Sequence, residues 1–304
     1  MKLFDAHAHV VERLAGYGAK GELRAIGGGK ARWADGDEIS MFPAELGEKT
    51  VTGEALKAFL DREGVEKAVL LQGGFYGFQN DYTLEVAKKY PDTFIPACTV
   101  DPFCLEAVPI LKRFLDAGVR VLKFEVSTGP GLMSYHEPFD LDGERLAGLI
   151  GMAADKECVL TLDLGSPGMA SFQPQAVANI AERHPNMKIV VCHLLAPALK
   201  DGDALEQGLK ILKKENIWFD ISALPWNVYP EEYPYPTAIR YLKAAKEIVG
   251  AEKLIWASDI PCPLTRDSYR HLYDYFQDSG VFTPEELEDV YYNNGMKVYC
   301  GNEQ

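Results

Sequence analysis

Lys2-Leu3-Phe4-Asp5-Ala6-His7-Ala8-His9 opens the chain with a short apolar run that ends on paired histidines. Side chains alternate along a strand with period two, so a strand over Lys2–His9 is expected to turn Asp5, His7 and His9 to one face. Seven further β-rich runs follow: Lys67–Gln72, Thr93–Val100, Val119–Val126, Cys158–Leu164, Lys188–His193, Ile217–Ser222 and Leu254–Asp259. Amphipathic stretches separate them: Thr52–Glu63, Asp81–Tyr90, Leu105–Ala117, Leu141–Lys156, Gln173–His184, Ala204–Glu215 and Thr237–Val249, with Pro284–Tyr299 after the last. Strand–helix alternation favours a parallel sheet, and eight units with a closing helix favour a closed (β/α)8 TIM barrel. An open doubly wound sheet is the rival, but no Gly-x-Gly-x-x-Gly or phosphate-loop motif follows any strand.

Local signals support these boundaries. Gly64 and Gly118 follow helical patterns and can take a left-handed cap, while Pro91 and Pro185 stop helices. Thr283-Pro284 with Glu286 marks a helix start. Val10–Thr50 is the exception: a long, glycine-rich connection carrying Arg24, Lys30, Arg32 and Trp33. A loop after a barrel strand hangs over the catalytic face, so residues 10–50 are expected to be a loop or lid inserted into one domain spanning 1–304.

Of 304 residues, 47% are hydrophobic and 25% charged, enough for a large core. A net charge of −14 makes nucleic acid and anionic membrane surfaces poor partners. The opening residues do not read as a signal peptide, and no apolar run is long enough to span a bilayer. Cys98, Cys104, Cys158, Cys192, Cys262 and Cys300 are scattered, which fits reduced thiols and a cytoplasmic protein.

Two imidazoles on adjacent inward positions form a half-site for a divalent metal; hydrogen-bonded or exposed histidines are the alternative. Other strand ends add weight to the first reading. Lys188–His193 stops on histidine, Leu254–Asp259 stops on a carboxylate, Asp163 tips the fifth run, and Lys123 and Glu125 share a face of the fourth. Ionisable residues at the same end of several strands are costly to bury without a purpose.

Phe4-Asp5-Ala6-His7-Ala8-His9, His193 after Arg183-His184-Pro185, Ala257-Ser258-Asp259-Ile260-Pro261 and Tyr292–Tyr299 together resemble the amidohydrolase superfamily. The resemblance is to its amidohydrolase-related branch, which holds aminocarboxymuconate semialdehyde decarboxylase, aromatic decarboxylases and lactonases, and it spans nearly the whole chain. It implies that His7, His9 and Asp259 are metal ligands, that Asp259 also serves as base, and that His193 polarises substrate or transfers a proton. The branch usually has a third histidine ligand at the end of the fifth strand. Here Asp163 stands there, adding negative charge and shortening the reach.

The expected cofactor is therefore a divalent metal, zinc, held by His7, His9, Asp163 and Asp259, with His193 and Asp259 catalytic. Arg24 and Arg32 are expected to clamp an anionic small-molecule substrate, with Glu125 a further contact. Tyr229, Tyr233 and Tyr235 either line the pocket or pack their own loop down, and the aromatic loop Trp226–Tyr235 suits a homo-oligomer contact. His136 and His184 are given no role. The expected reaction is hydrolysis of a small amide or lactone by a metal-activated water. Non-oxidative decarboxylation of a small aromatic or unsaturated acid is the alternative, and a catalytically silent ligand-binding barrel is a third.

Overall fold

A computed structural model describes residues 2–127 and 139–301; His136 lies outside them. The eight expected runs form one parallel sheet: β1 (Leu3–Ala8), then β6 (Val65–Leu70), β7 (Phe94–Cys98), β8 (Val121–Glu125), β9 (Val159–Asp163), β10 (Ile189–Val191), β11 (Ile217–Asp220) and β12 (Leu254–Ile255), paired in that order. Strands β2 to β5 belong to the insertion described below. The segment after β12 returns to β1 and closes the barrel. Ala6 N–H donates to the Trp256 carbonyl (3.3 Å), Asp259 N–H to that of His7 (2.7 Å) and His9 N–H to that of Ile260 (3.0 Å). This is the (β/α)8 barrel that strand–helix alternation implies.

Apolar side chains fill both sides of the sheet. Phe4, Val69, Val121, Val159, Val190 and Ile255 pack inside the barrel, and a larger cluster joins the outer faces to the helices. The C-terminal helix Asn294–Tyr299 plugs the N-terminal end, with the Tyr299 ring stacked on Phe4 at 5.9 Å. The caps form as their residues dictate. Thr52 accepts from the Ala55 amide, Gly64 adopts φ 77°, and Thr283 and Glu286 make a reciprocal capping box. Two short helices, Leu224–Asn227 and Tyr269–Asp274, have no counterpart in the periodicity reading, and a π turn over Asp289–Asn293 interrupts the expected final helix.

The segment from 10 to 50 differs from expectation. It is not an irregular loop but a four-stranded antiparallel sheet of β2 (Gly16–Gly18), β3 (Gly21–Gly27), β4 (Lys30–Trp33) and β5 (Glu38–Ser40). Its glycines supply hairpin turns: Gly21, Gly28, Gly29 and Gly36 all have positive φ. Period-two alternation turns Leu23, Ala31 and Trp33 inward and Arg24 and Arg32 out to solvent.

This small sheet docks on the loop after β6 through Ala15 N–H to the Tyr76 carbonyl (3.0 Å) and Tyr17 N–H to that of Gly74 (2.9 Å). Gly16 is required at the contact, since a Cβ there would lie 2.1 Å from the Phe75 carbonyl oxygen. Replacing Gly16 with Ala is expected to cost about 1–3 kcal/mol, like other overpacked contacts. It should lower the melting temperature and speed proteolysis within residues 10–50; unchanged melting and cleavage would mean that this docking is not tight.

Candidate active site

The site begins with an irregularity in β1. Opposite β6, Asp5 pairs with Ala68 and Ala8 with Leu70, so three steps on one strand match two on the other. A bulge of this kind reverses which side chains face inward. Asp5, expected to share a face with His7, therefore points outward to the helix layer. There it accepts from Ser258 N–H (2.9 Å), Ser258 Oγ (2.5 Å) and Tyr269 OH (2.9 Å). Beyond the bulge, His7 and His9 turn into the mouth.

Both imidazoles are oriented from behind. His7 Nδ1 donates to Asp220 Oδ2 (3.1 Å), and His9 Nδ1 donates to the Leu71 carbonyl (2.9 Å). Burial, reinforced by Lys123, holds the His7 pKa below its usual value, and burial lowers that of His9 to about 4 against the pull of Asp259. Each ring thus presents an Nε2 lone pair to the cavity. Asp259 Oδ1 lies 3.4 Å from the first and 3.1 Å from the second. Burial favours the acid form of Asp259, but the positive field of the surrounding site, His193 included, keeps the carboxylate ionised.

Two imidazole lone pairs facing a carboxylate are three acceptors without a shared proton, an arrangement that a cation resolves. Donors bound to a tetrahedral zinc at about 2.0–2.1 Å lie roughly 3.3 Å apart, close to these separations. His7, His9 and Asp259 accordingly fit a divalent ion, with the Asp220–His7 bond as the supporting carboxylate–imidazole pair. Lys123 Nζ, 3.1 Å from His7 Nε2, occupies that lone pair now and competes with an ion for it.

His193 reaches the site by a route the apolar run does not reveal. Strand β10 ends at Val191, and His193, Leu194, Leu195 and Ala196 all have φ between 47° and 67°. Such a run is costly for non-glycine residues and must be held from outside. Asp220 Oδ1 holds it, accepting from the His193 amide at 2.9 Å. The same oxygen accepts from Ser222 Oγ (2.5 Å), so Ser222 accepts from His193 Nδ1 (2.7 Å), while His193 Nε2 faces Asp163 Oδ2 at 3.5 Å. With both ring nitrogens donating, His193 is imidazolium. Burial opposes that charge, but Asp163, Asp259 and Asp220 push the pKa up to about 9.

These groups face a cavity of about 500 Å³ lined by His7, His9, Lys123, Glu125, His193 and Asp259, with Lys20, Trp33 and Ile39 contributed by the inserted sheet. Burial would lower the Lys123 pKa, but Cys192, Glu125, Asp163 and Asp259 outweigh it, so the ammonium persists. Burial pushes Glu125 up to about 7 against Lys123, and its Oε1 has no hydrogen-bond partner.

Two expected groupings are not brought together here. Asp163 lines the cavity but is not grouped with His7, His9 and Asp259; its oxygens are engaged by the Gly165 amide (2.9 Å) and His193. Arg32 pairs with Glu38 (2.7 Å), and Arg24 donates to its neighbour's carbonyl, that of Leu23 (3.1 Å). Both lie on the outer face of the inserted sheet, away from the cavity lining. Among the tyrosines, Tyr233 stacks on His271 and Tyr235 packs edge-on against Tyr275, so they hold their loop down. Asp220 and Ser222 join the site beyond the expected residues, and Ile217-Trp218-Phe219-Asp220-Ile221-Ser222 shows the same polar strand end that singles out His193 and Asp259.

The amidohydrolase family model matches residues 4–300. No curated protein matches the chain. Among solved structures, it is similar to a probable 2-pyrone-4,6-dicarboxylic acid hydrolase of Acinetobacter baumannii with citric acid bound: 16% identity, TM-score 0.71, covering 99% of this chain and 100% of that one. It is also similar to a zinc-bound amidohydrolase of Burkholderia multivorans, with 14% identity, TM-score 0.69 and 99% of each chain covered. The 5-carboxyvanillate decarboxylase of Sphingomonas paucimobilis shares the fold at 14% identity and TM-score 0.56, over 80% of this chain and 82% of that one. At these identities the structures speak for the fold alone. The family match over nearly the full length, joined to the barrel and its convergent His7, His9, His193 and Asp259, shows that the chain belongs to the amidohydrolase family.

Proposed function

We propose that the chain hydrolyses a small lactone or amide, adding water across the acyl bond. The observation that supports this most is the division of charge around one cavity. An ionised Asp259, its side chain 23% exposed, lines the same cavity as the protonated Lys123 and His193. Hydrolysis needs this pairing: a base for the attacking water and donors for the oxygen that becomes negative.

In this reading Asp259 accepts a proton from water as its oxygen bonds to the carbonyl carbon. Lys123 donates a hydrogen bond to the developing alkoxide, and the His193 imidazolium, held by Ser222 and Asp163, stabilises it through its charge. When the acyl bond breaks, the proton passes to the leaving oxygen or nitrogen, giving a hydroxy acid from a lactone. Asp220 acts by fixing the His7 tautomer and by supporting the His193 imidazolium. Glu125, which lines the cavity, is a further polar group for the substrate. His7, His9 and Asp259 would hold a divalent ion, zinc suiting two imidazoles and a carboxylate, and bound there it supplies Lewis-acid polarisation.

Turnover of a lactone panel in ¹⁸O-water tests the reading. Ring opening with one ¹⁸O in the new carboxylate is expected, and Asp259→Asn should lower kcat/KM by roughly 10²–10⁴-fold. Carbon dioxide release from an aromatic acid, with no ¹⁸O gained, would move the reaction to decarboxylation, and no turnover of either class would favour a silent barrel. Asp220→Asn is expected to reduce kcat/KM by about 10–100-fold, as for other groups behind a catalytic imidazole. Metal analysis of the purified protein should find a stoichiometric divalent ion that is lost in the His7→Ala/His9→Ala double variant; equal metal in both would exclude these ligands.

A further inference from the structure

His7 Nε2 has one lone pair and two claimants. Nδ1 is committed as a donor to Asp220 Oδ2 (3.1 Å), so Nε2 can only accept, and it accepts from Lys123 Nζ at 3.1 Å. A divalent ion held by His7, His9 and Asp259 needs that same lone pair. The ammonium and the ion therefore exclude each other at His7. His9 differs, since its Nε2 faces Asp259 Oδ1 (3.1 Å) rather than a cation. Of the other cations lining the cavity, Lys20 pairs with Asp35 and Asp37, and His193 is held between Ser222 and Asp163.

Lys123 has a second place to bond. Glu125 stands two residues further along β8 on the same inward face, and the two side chains are 2% and 3% exposed. Two steps of a strand span about 6.6 Å, which the flexible four-carbon stem of a lysine covers by rotation. Glu125 Oε1 is buried and accepts no hydrogen bond among the described residues. A native structure rarely leaves such an oxygen without a donor, so this one needs a reason. Its seat is fixed by the backbone opposite. A Cβ at Gly73 would lie 1.2 Å from Glu125 Oε2, so glycine is required there.

We infer that Lys123 is a built-in competitor of the metal, bonding His7 in the ion's absence and transferring to Glu125 as an ion enters, so that this pair of residues sets how tightly the chain holds its ion. The inference rests on His7, His9 and Asp259 being the ligands. On transfer, one hydrogen bond breaks at His7 Nε2 and one forms at Glu125 Oε1, and the ion takes the freed lone pair. The ammonium stays beside the cavity in both positions, and the buried carboxylate gains the donor that it lacks.

Zinc affinity, measured by competition with a chromophoric chelator, tests it, with melting temperatures to show that each variant folds. Lys123→Leu removes the donor and adds no ligand. It should bind zinc roughly ten- to hundred-fold more tightly than wild type, the range for a hydrogen bond to a charged group. Lys20→Met takes one charge from the same cavity without touching His7, and should stay within about threefold of wild type because exposed charges are screened. Glu125→Gln should weaken zinc about tenfold in wild type but less than about threefold in Lys123→Leu, since the two residues act together. Equal zinc affinity in wild type and Lys123→Leu would overturn the proposal. So would an equal gain in Lys20→Met, or a Glu125→Gln effect that is the same in both backgrounds. Wild type alone supplies a second measurement: zinc should shift the ¹⁵N signals of His7 Nε2 and the Lys123 ammonium together. A His7 shift with Lys123 unmoved would overturn the proposal without any variant. Zinc bound equally by wild type and Lys123→Leu, but not by His7→Ala/His9→Ala, would remove the competitor and leave the ligands standing. Zinc bound by neither wild type nor Lys123→Leu would sink the ligand reading and the competitor with it.

Discussion

The hydrogen bond from the Asp259 amide to the His7 carbonyl, 2.7 Å long, joins residues at opposite ends of the chain. It belongs to the seam where the segment after β12 meets β1, and the barrel is closed there. The arrangement of Asp259 with the first strand follows from that closure. It sets Asp259 Oδ1 against both imidazoles, and it places Ser258 where Asp5 can tether it from the outer side. Asp259 itself sits at φ 63°, a conformation that only a firmly paired backbone sustains.

Around the seam, buried charge is organised by one further carboxylate. Asp220 is fully buried and places one oxygen on His7 and the other on the His193 amide and Ser222. Burial alone would protonate it; His7, His193 and Ser222 together hold it ionised. Asp220 fixes the His7 tautomer and supports the charge on His193, while burial and Lys123 keep His7 neutral with its lone pair to the cavity. Two histidines that share a neighbour thus acquire opposite chemistry from the rest of their surroundings, which is how one barrel mouth can hold both acceptors and donors at a single pH.

The inserted sheet and the rim add shape to this charge. Lys20, Trp33 and Ile39 reach over the mouth because β3 and β4 turn their apolar faces down onto the loop after β6. On the other side Trp226 and Pro263 complete the wall, with Arg266 stacked behind them. The enclosure keeps the ionised groups in a poorly screened setting, where their mutual interactions are strong.

Much of this was legible in the residues. Eight apolar runs alternating with amphipathic stretches specify a barrel, because each pattern buries one kind of surface and only that order buries all of it. Polar residues at the same strand ends marked His7, His9, His193, Asp259, Lys123 and Glu125, since nothing else repays their burial. Other features needed three dimensions. The β1 bulge that turns Asp5 outward leaves no trace in a period-two pattern. The glycines of residues 10–50 read as a loop because hairpin turns and irregular chain use the same residue. The capture of Asp163 by His193, the outward face of Arg24 and Arg32 and the stacking of Arg266 on Trp226 all join residues distant in sequence. Local composition determined which elements form and which ends carry charge; which charges meet was decided by barrel closure, because contact depends on geometry that no neighbouring residue encodes.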